Sequence, residues 1–265
     1  MKTTVLFLLP IILLTSCASQ RAICKYEMSY GPNASVPWVT AYYSPTPIKL
    51  DGVLDEEIWK KSPAYSMVEP IDVPESPKAE SKFSMKWKDF YGGTVQFAYT
   101  DDTLYIAAKV KDGDIVQFNQ KDQQPHWKSG DLIEIMIKSA NAPGFWECYG
   151  TPCGHRTTIH YIARGYCSET MNDFRDDFKI GVKLDGTLND RKDIDNGYTM
   201  EIAIPFKMLE ALDGVPFNDK GNWKIFIGRY NYDWRYSYRQ LSCYPMMPVP
   251  KFETNEYFSP IILLK

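Results

Sequence analysis

Trp127 stands in the polar run Lys121-Asp122-Gln123-Gln124-Pro125-His126-Trp127-Lys128, and Glu134 follows in the strand-like Asp131-Leu132-Ile133-Glu134-Ile135. An indole with few apolar neighbours in its own loop offers a flat face to a ligand, or folds back as a lid on the core. A carboxylate on the polar side of a strand accepts hydrogen bonds from hydroxyls, or pairs with a cation such as Arg229 across a sheet. Stacking on the C–H face of a ring together with hydrogen bonds to its hydroxyls is the chemistry that a pyranose asks for. Trp146, Glu147 and Tyr149 form a second aromatic and polar cluster. His160 shares a strand face with Thr158, Ile162 and Arg164, and either bonds a hydroxyl or packs. Arg229 keeps the parity of Trp223, Ile225 and Ile227, where a guanidinium needs a carboxylate or a ligand to receive it. Aromatics make up 14% of the chain, with 18 Tyr and 7 Trp, so stacking platforms are plentiful. Trp59, Trp87 and Trp223 sit in amphipathic stretches and are expected in the core.

Other chemistries leave fainter marks. A glycoside hydrolase needs two carboxylates about 5 to 10 Å apart with split pKa values, and among 33 Asp and Glu no spacing singles out a pair. Neither a Gly-x-Ser-x-Gly elbow nor a phosphate-cradling Gly-rich loop occurs. Cys148, Cys153, His155 and His160 match no common zinc spacing. His126, His155, His160 and ten Met leave a haem redox module as a third reading, without haem-specific spacing. A net charge of −3 with scattered Lys and Arg argues against a nucleic-acid groove.

The elements that must position these residues are mostly strands. Leu104, Ile106, Ala108 and Val110 alternate with polar neighbours, and Ile133, Ile135 and Ile137 form one row while Leu132, Glu134 and Met136 form the other. Further strands are expected at 39–43, 82–88, 94–100, 144–149, 156–164, 177–184, 197–204, 222–231 and 256–264. Helical pattern is confined to about 55–60, with Asp55 at the N-cap position behind the Asp51-Gly52 turn, and to Phe206 to Leu212 after Pro205. Many strands, few helices and frequent turns predict an all-β, two-sheet antiparallel β-sandwich with one or two short helices.

Five segments, in order, resemble family 9 carbohydrate-binding modules. They are Ile48-Lys49-Leu50-Asp51-Gly52 with Asp55 to Trp59; Thr100-Asp101-Asp102 with Leu104-Tyr105-Ile106; Asp131-Leu132-Ile133-Glu134; Tyr198 to Pro205; and Trp223 to Asn231. The matches run from about residue 45 to 264. The resemblance implies a jelly-roll-like, DOMON-like sandwich that binds polysaccharide or oligosaccharide without catalysis. It implies that Trp127 stacks on the sugar and that Glu134 bonds its hydroxyls; from the reading of their own positions, Arg229 is expected to help orient hydroxyls, and Trp146 and His160 are further candidates. The family's second stacking aromatic has no Trp counterpart near Tyr244-Pro245-Met246-Met247-Pro248, so Tyr244 or Tyr232 is the expected substitute. Calcium is allowed by the same resemblance. The alternative is an endo-xylanase-like glycoside hydrolase, or an accessory to one, in the catabolism of xylan or a related glycan.

The amino end carries an address. Met1-Lys2, an apolar run from Val5 to Leu14, and Leu14-Thr15-Ser16-Cys17 resemble a bacterial lipoprotein signal, which implies cleavage before Cys17 and acylation there; a plain secretory signal cut near Ala18 is the alternative. The expected organisation is a signal at 1–16, a tether at 17–40 and one β domain at 41–265, exported and anchored by lipid in the cell envelope, with the outer membrane favoured. An envelope glycoside hydrolase or a transporter is the expected partner. Of the remaining cysteines, Cys148 and Cys153 flank a turn and are the nearest pair for a disulfide.

Overall fold

The computed structural model describes residues 36–70, 90–169, 177–236, 238–248 and 251–265. The signal, Cys17, Cys24, Trp87, most of the tether and the strand expected at 82–88 lie outside the described residues.

Chain order begins with β1 (Val39–Tyr43), α1 (Glu57–Lys61), β2 (Tyr65–Met67), β3 (Gly93–Tyr99), β4 (Thr103–Lys111), β5 (Leu132–Ser139), β6 (Phe145–Gly150) and β7 (Arg156–Ala163). It continues with β8 (Tyr166–Glu169), β9 (Lys179–Asp185), β10 (Gly197–Pro205), α2 (Phe206–Asp213), β11 (Trp223–Asn231), β12 (Gln240–Tyr244) and β13 (Ser259–Leu264). The long strands fall where period-two alternation places them. β2 and β8, three and four residues long, are too short for alternation to declare itself, and five-residue β12 lies in a stretch where no strand is expected.

The chain is all-β with two short helices. Its strands follow one hydrogen-bonded path, β8-β7-β6-β5-β11-β13-β1-β3-β4-β10-β9, with β12 beside β11 and β2 beside β3. The expected pattern of purely antiparallel sheets is corrected at β1, which runs parallel to both β13 and β3. β13 changes partner along its length: Ser259 and Pro260 pair with β11, and Ile261 to Leu264 pair with β1. Both halves of the path face one apolar core, where Val95, Phe97, Leu104 and Ile106 meet Ile133, Ile135, Trp146 and Ile225.

The outer face of β3, β4 and β10 is covered by the segment that opens the domain. Ile48, Ile58 and Trp59 pack there on Ala98, Tyr105, Ala107 and Ala203. The Asp51-Gly52 turn requires glycine, since Gly52 has φ +77 and a Cβ there would lie 2.2 Å from the Lys183 backbone nitrogen. Glu201 on β10 holds the turn from beneath, accepting the N–H groups of Asp51 (3.1 Å), Gly52 (3.0 Å) and the Trp59 indole (2.9 Å). The N-cap of α1 is Glu56 rather than Asp55, and it makes no side-chain cap bond; the turn and Glu201 fix the start of this helix instead. α2 ends at Gly214, whose φ of 65 supplies the left-handed stop.

Candidate functional site

β5 carries two rows of opposite parity. Ile133, Ile135 and Ile137 enter the shared core, which turns Leu132, Glu134 and Met136 to the outer face. Register then gathers the neighbours: Tyr149 stands opposite Glu134 and Glu147 opposite Met136 on β6, and Gly228 and Tyr230 of β11 stand opposite Glu134 and Leu132. β7 adds Ile159 and Tyr161, opposite Glu147 and Phe145.

Two apolar clusters flank the carboxyls on this face. On one side Leu132, Tyr149 and Ile159 pack together with half-buried Trp127. On the other, Met136, Phe145 and Phe226 are covered by Met247, Phe252 and Phe258 from the segment after β12. Tyr161 and Tyr230 touch both clusters. Gly228 makes room for the cover, since a Cβ there would sit 2.8 Å from the Phe252 ring.

Glu134 is 1% exposed and Glu147 9%, and their carboxyls hydrogen-bond each other. Burial first, and the charge of Glu147 second, hold the Glu134 carboxyl well above the usual carboxylate range. Burial raises Glu147 too, opposed by hydrogen bonds from Glu134 and Tyr161. The two carboxyls therefore share a proton across their hydrogen bond. The Tyr149 hydroxyl donates to Glu147 as well. Glu134 Oε2 is buried with no partner. Exposed Arg239 lies 4.8 Å over the Tyr230 ring, and its charge, with that of Glu253, acts on the pair.

A carboxyl whose folded pKa is raised favours folding below its unfolded value, about 4.3, and that contribution is lost as pH rises through the folded pKa. Glu134→Gln removes this dependence. Thermal melts across the acid-to-neutral range are expected to show the variant gaining on the parent as pH rises. Parallel curves would contradict the shared proton.

Trp127 is held at the rim of this face. Its ring meets Tyr149 at 5.5 Å and 40°, and its carbonyl accepts the Tyr232 hydroxyl at 2.5 Å. His126 wedges the loop from below, with Nδ1 2.8 Å from Thr157 Oγ1 and Nε2 3.0 Å from the Lys121 carbonyl. Burial lowers the His126 pKa to about 4, so the ring is neutral. Tyr232, the residue after β11, thus braces the Trp127 loop.

Four other residues expected at the site sit elsewhere. Trp146 faces the core, because strand parity separates it from Glu147 and Tyr149. His160 is buried against Trp146, 4.7 Å between rings, with Nε2 3.3 Å from Asp213 of α2. Tyr244 packs inward on Tyr65 at 4.9 Å. Arg229 is fully buried and paired with Asp112 at 2.9 Å, not with Glu134 on the opposite face. The expected disulfide is corrected as well: Cys148 and Cys153 are both free, Cys148 pointing into the core and Cys153 lying 3.2 Å from Thr151 Oγ1.

Among the described residues no group of three or more His, Cys, Asp or Glu is placed to hold a metal ion. The buried aspartates are committed to N–H donors: Asp114 to Trp234, Asp131 to Val116 and Tyr232, Asp195 to Ile115 and Thr187. Calcium needs six to eight oxygens free to gather around it, and these residues do not fit that role. A concavity of about 630 Å³ lies on the other half of the molecule, bordered by Phe90, Lys109, Lys111, Asp185 and Asn196. It lacks a carboxyl pair and a stacked aromatic rim, so the face around Glu134 is the better candidate.

Glu147 and Tyr149, of the cluster named with Trp146, join the site, and Tyr161, Tyr230 and Arg239 complete it. Alternation along β6 and β7 carries the signal for the first three, once Glu147 and Tyr149 are separated from Trp146. Tyr230 and Arg239 depend on long-range pairing.

The model of the family described as Carbohydrate family 9 binding domain-like matches residues 50–218. A solved structure of a candidate carbohydrate-binding protein from Bacteroides uniformis ATCC 8492 is similar at 11% identity with a TM-score of 0.60, over 86% of this chain and 100% of that one. A carbohydrate binding module family 9 from Caldicellulosiruptor kristjanssonii in complex with cellotriose is similar at 16% identity and a TM-score of 0.53, over 85% of this chain and 93% of that one. The glucose complex from the same organism gives 16% and 0.52, over 84% and 95%. At such identities the likeness speaks for the fold alone. No curated protein matches the chain. Since the family model spans residues 50–218, well over half of the sequence, the chain belongs to the carbohydrate family 9 binding domain-like family.

Proposed function

We propose that this protein binds carbohydrate without cleaving it, at the outer face of β5, β6, β7 and β11. The observation that carries the reading is the half-buried Trp127, braced on Tyr149 at the rim of the Glu134–Glu147 pair. A pyranose stacked on that indole brings its hydroxyls toward Glu147 and, past it, toward the unpartnered oxygen of Glu134. Family membership and the cellotriose and glucose complexes of its neighbours support a saccharide as ligand. Binding rather than hydrolysis is favoured by the carboxyl spacing: the two groups hydrogen-bond each other, closer than the roughly 5 Å that glycosidic cleavage requires. The strand path is read as a two-layer, jelly-roll-like sandwich within a domain at 41–265.

The test is titration calorimetry with gluco- and xylo-oligosaccharides. Affinity is expected in the micromolar to millimolar range, about −8 to −4 kcal/mol. Trp127→Ala is expected to abolish measurable heat while leaving the circular dichroism spectrum unchanged. Undiminished binding in that variant would remove the indole from the site.

The same proposal places the domain at the cell envelope, held by lipid on Cys17, where clustered copies capture glycan by avidity. In a bacterial host, Cys17→Ser is expected to move the protein from the membrane fraction to the soluble one; retention in the membrane would contradict the anchor.

A further inference from the structure

Resting on the carbohydrate-binding reading, we propose that the site takes a saccharide bearing a free ammonium group, an amino sugar, seated on Glu134 and Glu147 within the rings of Trp127, Tyr149, Tyr161 and Tyr230. The argument begins with unmet demand. Glu134 is 1% exposed, and its Oε2 has no partner. A buried acceptor left without a donor destabilises the site until one arrives. A sugar hydroxyl brings one proton and no charge. An ammonium brings three donors and the positive charge that two touching carboxyls call for.

Charge around the pair points the same way. Arg229, the fully buried guanidinium of the neighbouring strand, is spent on Asp112 at the opposite face. Glu253, exposed on the segment after β12, adds a further negative charge to the surroundings of the pair. Exposed Arg239, which acts on Glu134, lies over the Tyr230 ring.

The rings complete the match. Aromatic faces attract cations through their quadrupole, and two rings of this cage already carry one: Lys128 Nζ lies 5.8 Å from the Trp127 centroid and the Arg239 guanidinium 4.8 Å from that of Tyr230. Tyr149 and Tyr161 hydrogen-bond Glu147 and so fix the carboxylate that an entering ammonium meets first. Trp127, Tyr161 and Tyr230, packed on Leu132, Tyr149 and Ile159, stay half-buried. On binding, the ligand keeps its protons, and the proton shared between the two glutamates leaves to solvent or stays as a hydrogen bond between them.

The experiment is calorimetry on the mature chain at mildly acidic pH and physiological salt, with three oligosaccharides of equal length: glucosamine oligomers, their N-acetylated forms, and cello-oligosaccharides. Free-amine oligomers are expected to bind at least ~10-fold more tightly than the other two, a difference worth about 1.4 kcal/mol. Glu134→Gln and Glu147→Gln are each expected to erase that preference, read as the ratio of the free-amine to the cello-oligosaccharide binding constants. Equal or tighter binding of the neutral forms would overturn the amine inference and leave carbohydrate binding standing. A preference that survives both substitutions would assign it to surface charge and overturn it too. Failure of all three sugars to bind would overturn the underlying reading as well.

Discussion

Replacing Arg229 with alanine is expected to cost about 3–5 kcal/mol of folding stability, the range found when one member of a buried ion pair is deleted. The guanidinium is fully buried and donates to Asp112 Oδ2 at 2.9 Å and to the Tyr91 carbonyl at 2.5 Å. Asp112 is 1% exposed, and Asp131 beside it is fully buried. Without Arg229 the two aspartates face each other with no counter-ion. Burial and the Asp112 charge already hold Asp131 well above the usual carboxylate range. The consequence reaches the site, because Asp131 Oδ1 accepts the Tyr232 N–H at 2.6 Å and Tyr232 in turn holds the Trp127 carbonyl. Chemical denaturation measures the loss. Arg229→Met combined with Asp112→Asn removes both charges and keeps an oxygen for the Asp114 N–H; the pair is expected to recover more than half of it. If the single variant unfolds at the parent's midpoint, the ion pair is not structural.

Glu201→Ala is the second large effect, at about 3–5 kcal/mol, since each buried donor left unpaired costs about 1–3 kcal/mol and such losses are not strictly additive. Three N–H groups converge on this carboxylate, two from the Asp51-Gly52 turn and one from Trp59. Burial pushes its pKa up to about 7 against the opposing pull of those bonds. Its ionised form is thus strained, and stability is expected to decline as pH climbs from about 4.3, the unfolded value, toward 7. Denaturant midpoints of parent and variant decide the matter: an unchanged midpoint in Glu201→Ala would mean that α1 docks by apolar contact alone. Release of α1 exposes Ala98, Tyr105 and Ala107, on the side away from the proposed site around Glu134, so saccharide affinity is expected to change little where the variant remains folded.

Strand positions were legible because alternation is a local property. Ile133, Ile135 and Ile137 against Leu132, Glu134 and Met136 declare both the strand and its two faces. The same rule, applied to Trp146-Glu147-Cys148-Tyr149, separates Trp146 from its neighbours, and grouping them by proximity in sequence obscured this. Arg229 likewise shares parity with Ile225 and Ile227, which already placed it inside. Its partner Asp112 lies 117 positions away, a distance that no spacing rule spans. The Asp51-Gly52 turn reads clearly from its residues. Glu201, the anchor beneath it, is 149 positions from Gly52 and looks like an ordinary polar residue on a strand. The meeting of Glu134 with Glu147 depends on the β5–β6 register, which the intervening turn sets and the strands alone do not encode. Tyr244 was misread because its parity on β12 depends on pairing with β11: Ile227 stands opposite, and the ring follows it into the core.

The most direct measurement of the central claim is an NMR titration that follows the indole N–H signals and backbone amides as oligosaccharide is added. The account predicts that Trp127 shifts along with amides around Glu134, Glu147, Tyr161 and Tyr230, while the buried indoles of Trp59, Trp146 and Trp223 stay in place. Shifts confined to Lys109, Lys111, Asp185 and Asn196, around the concavity on the other half, with Trp127 unmoved, would contradict it.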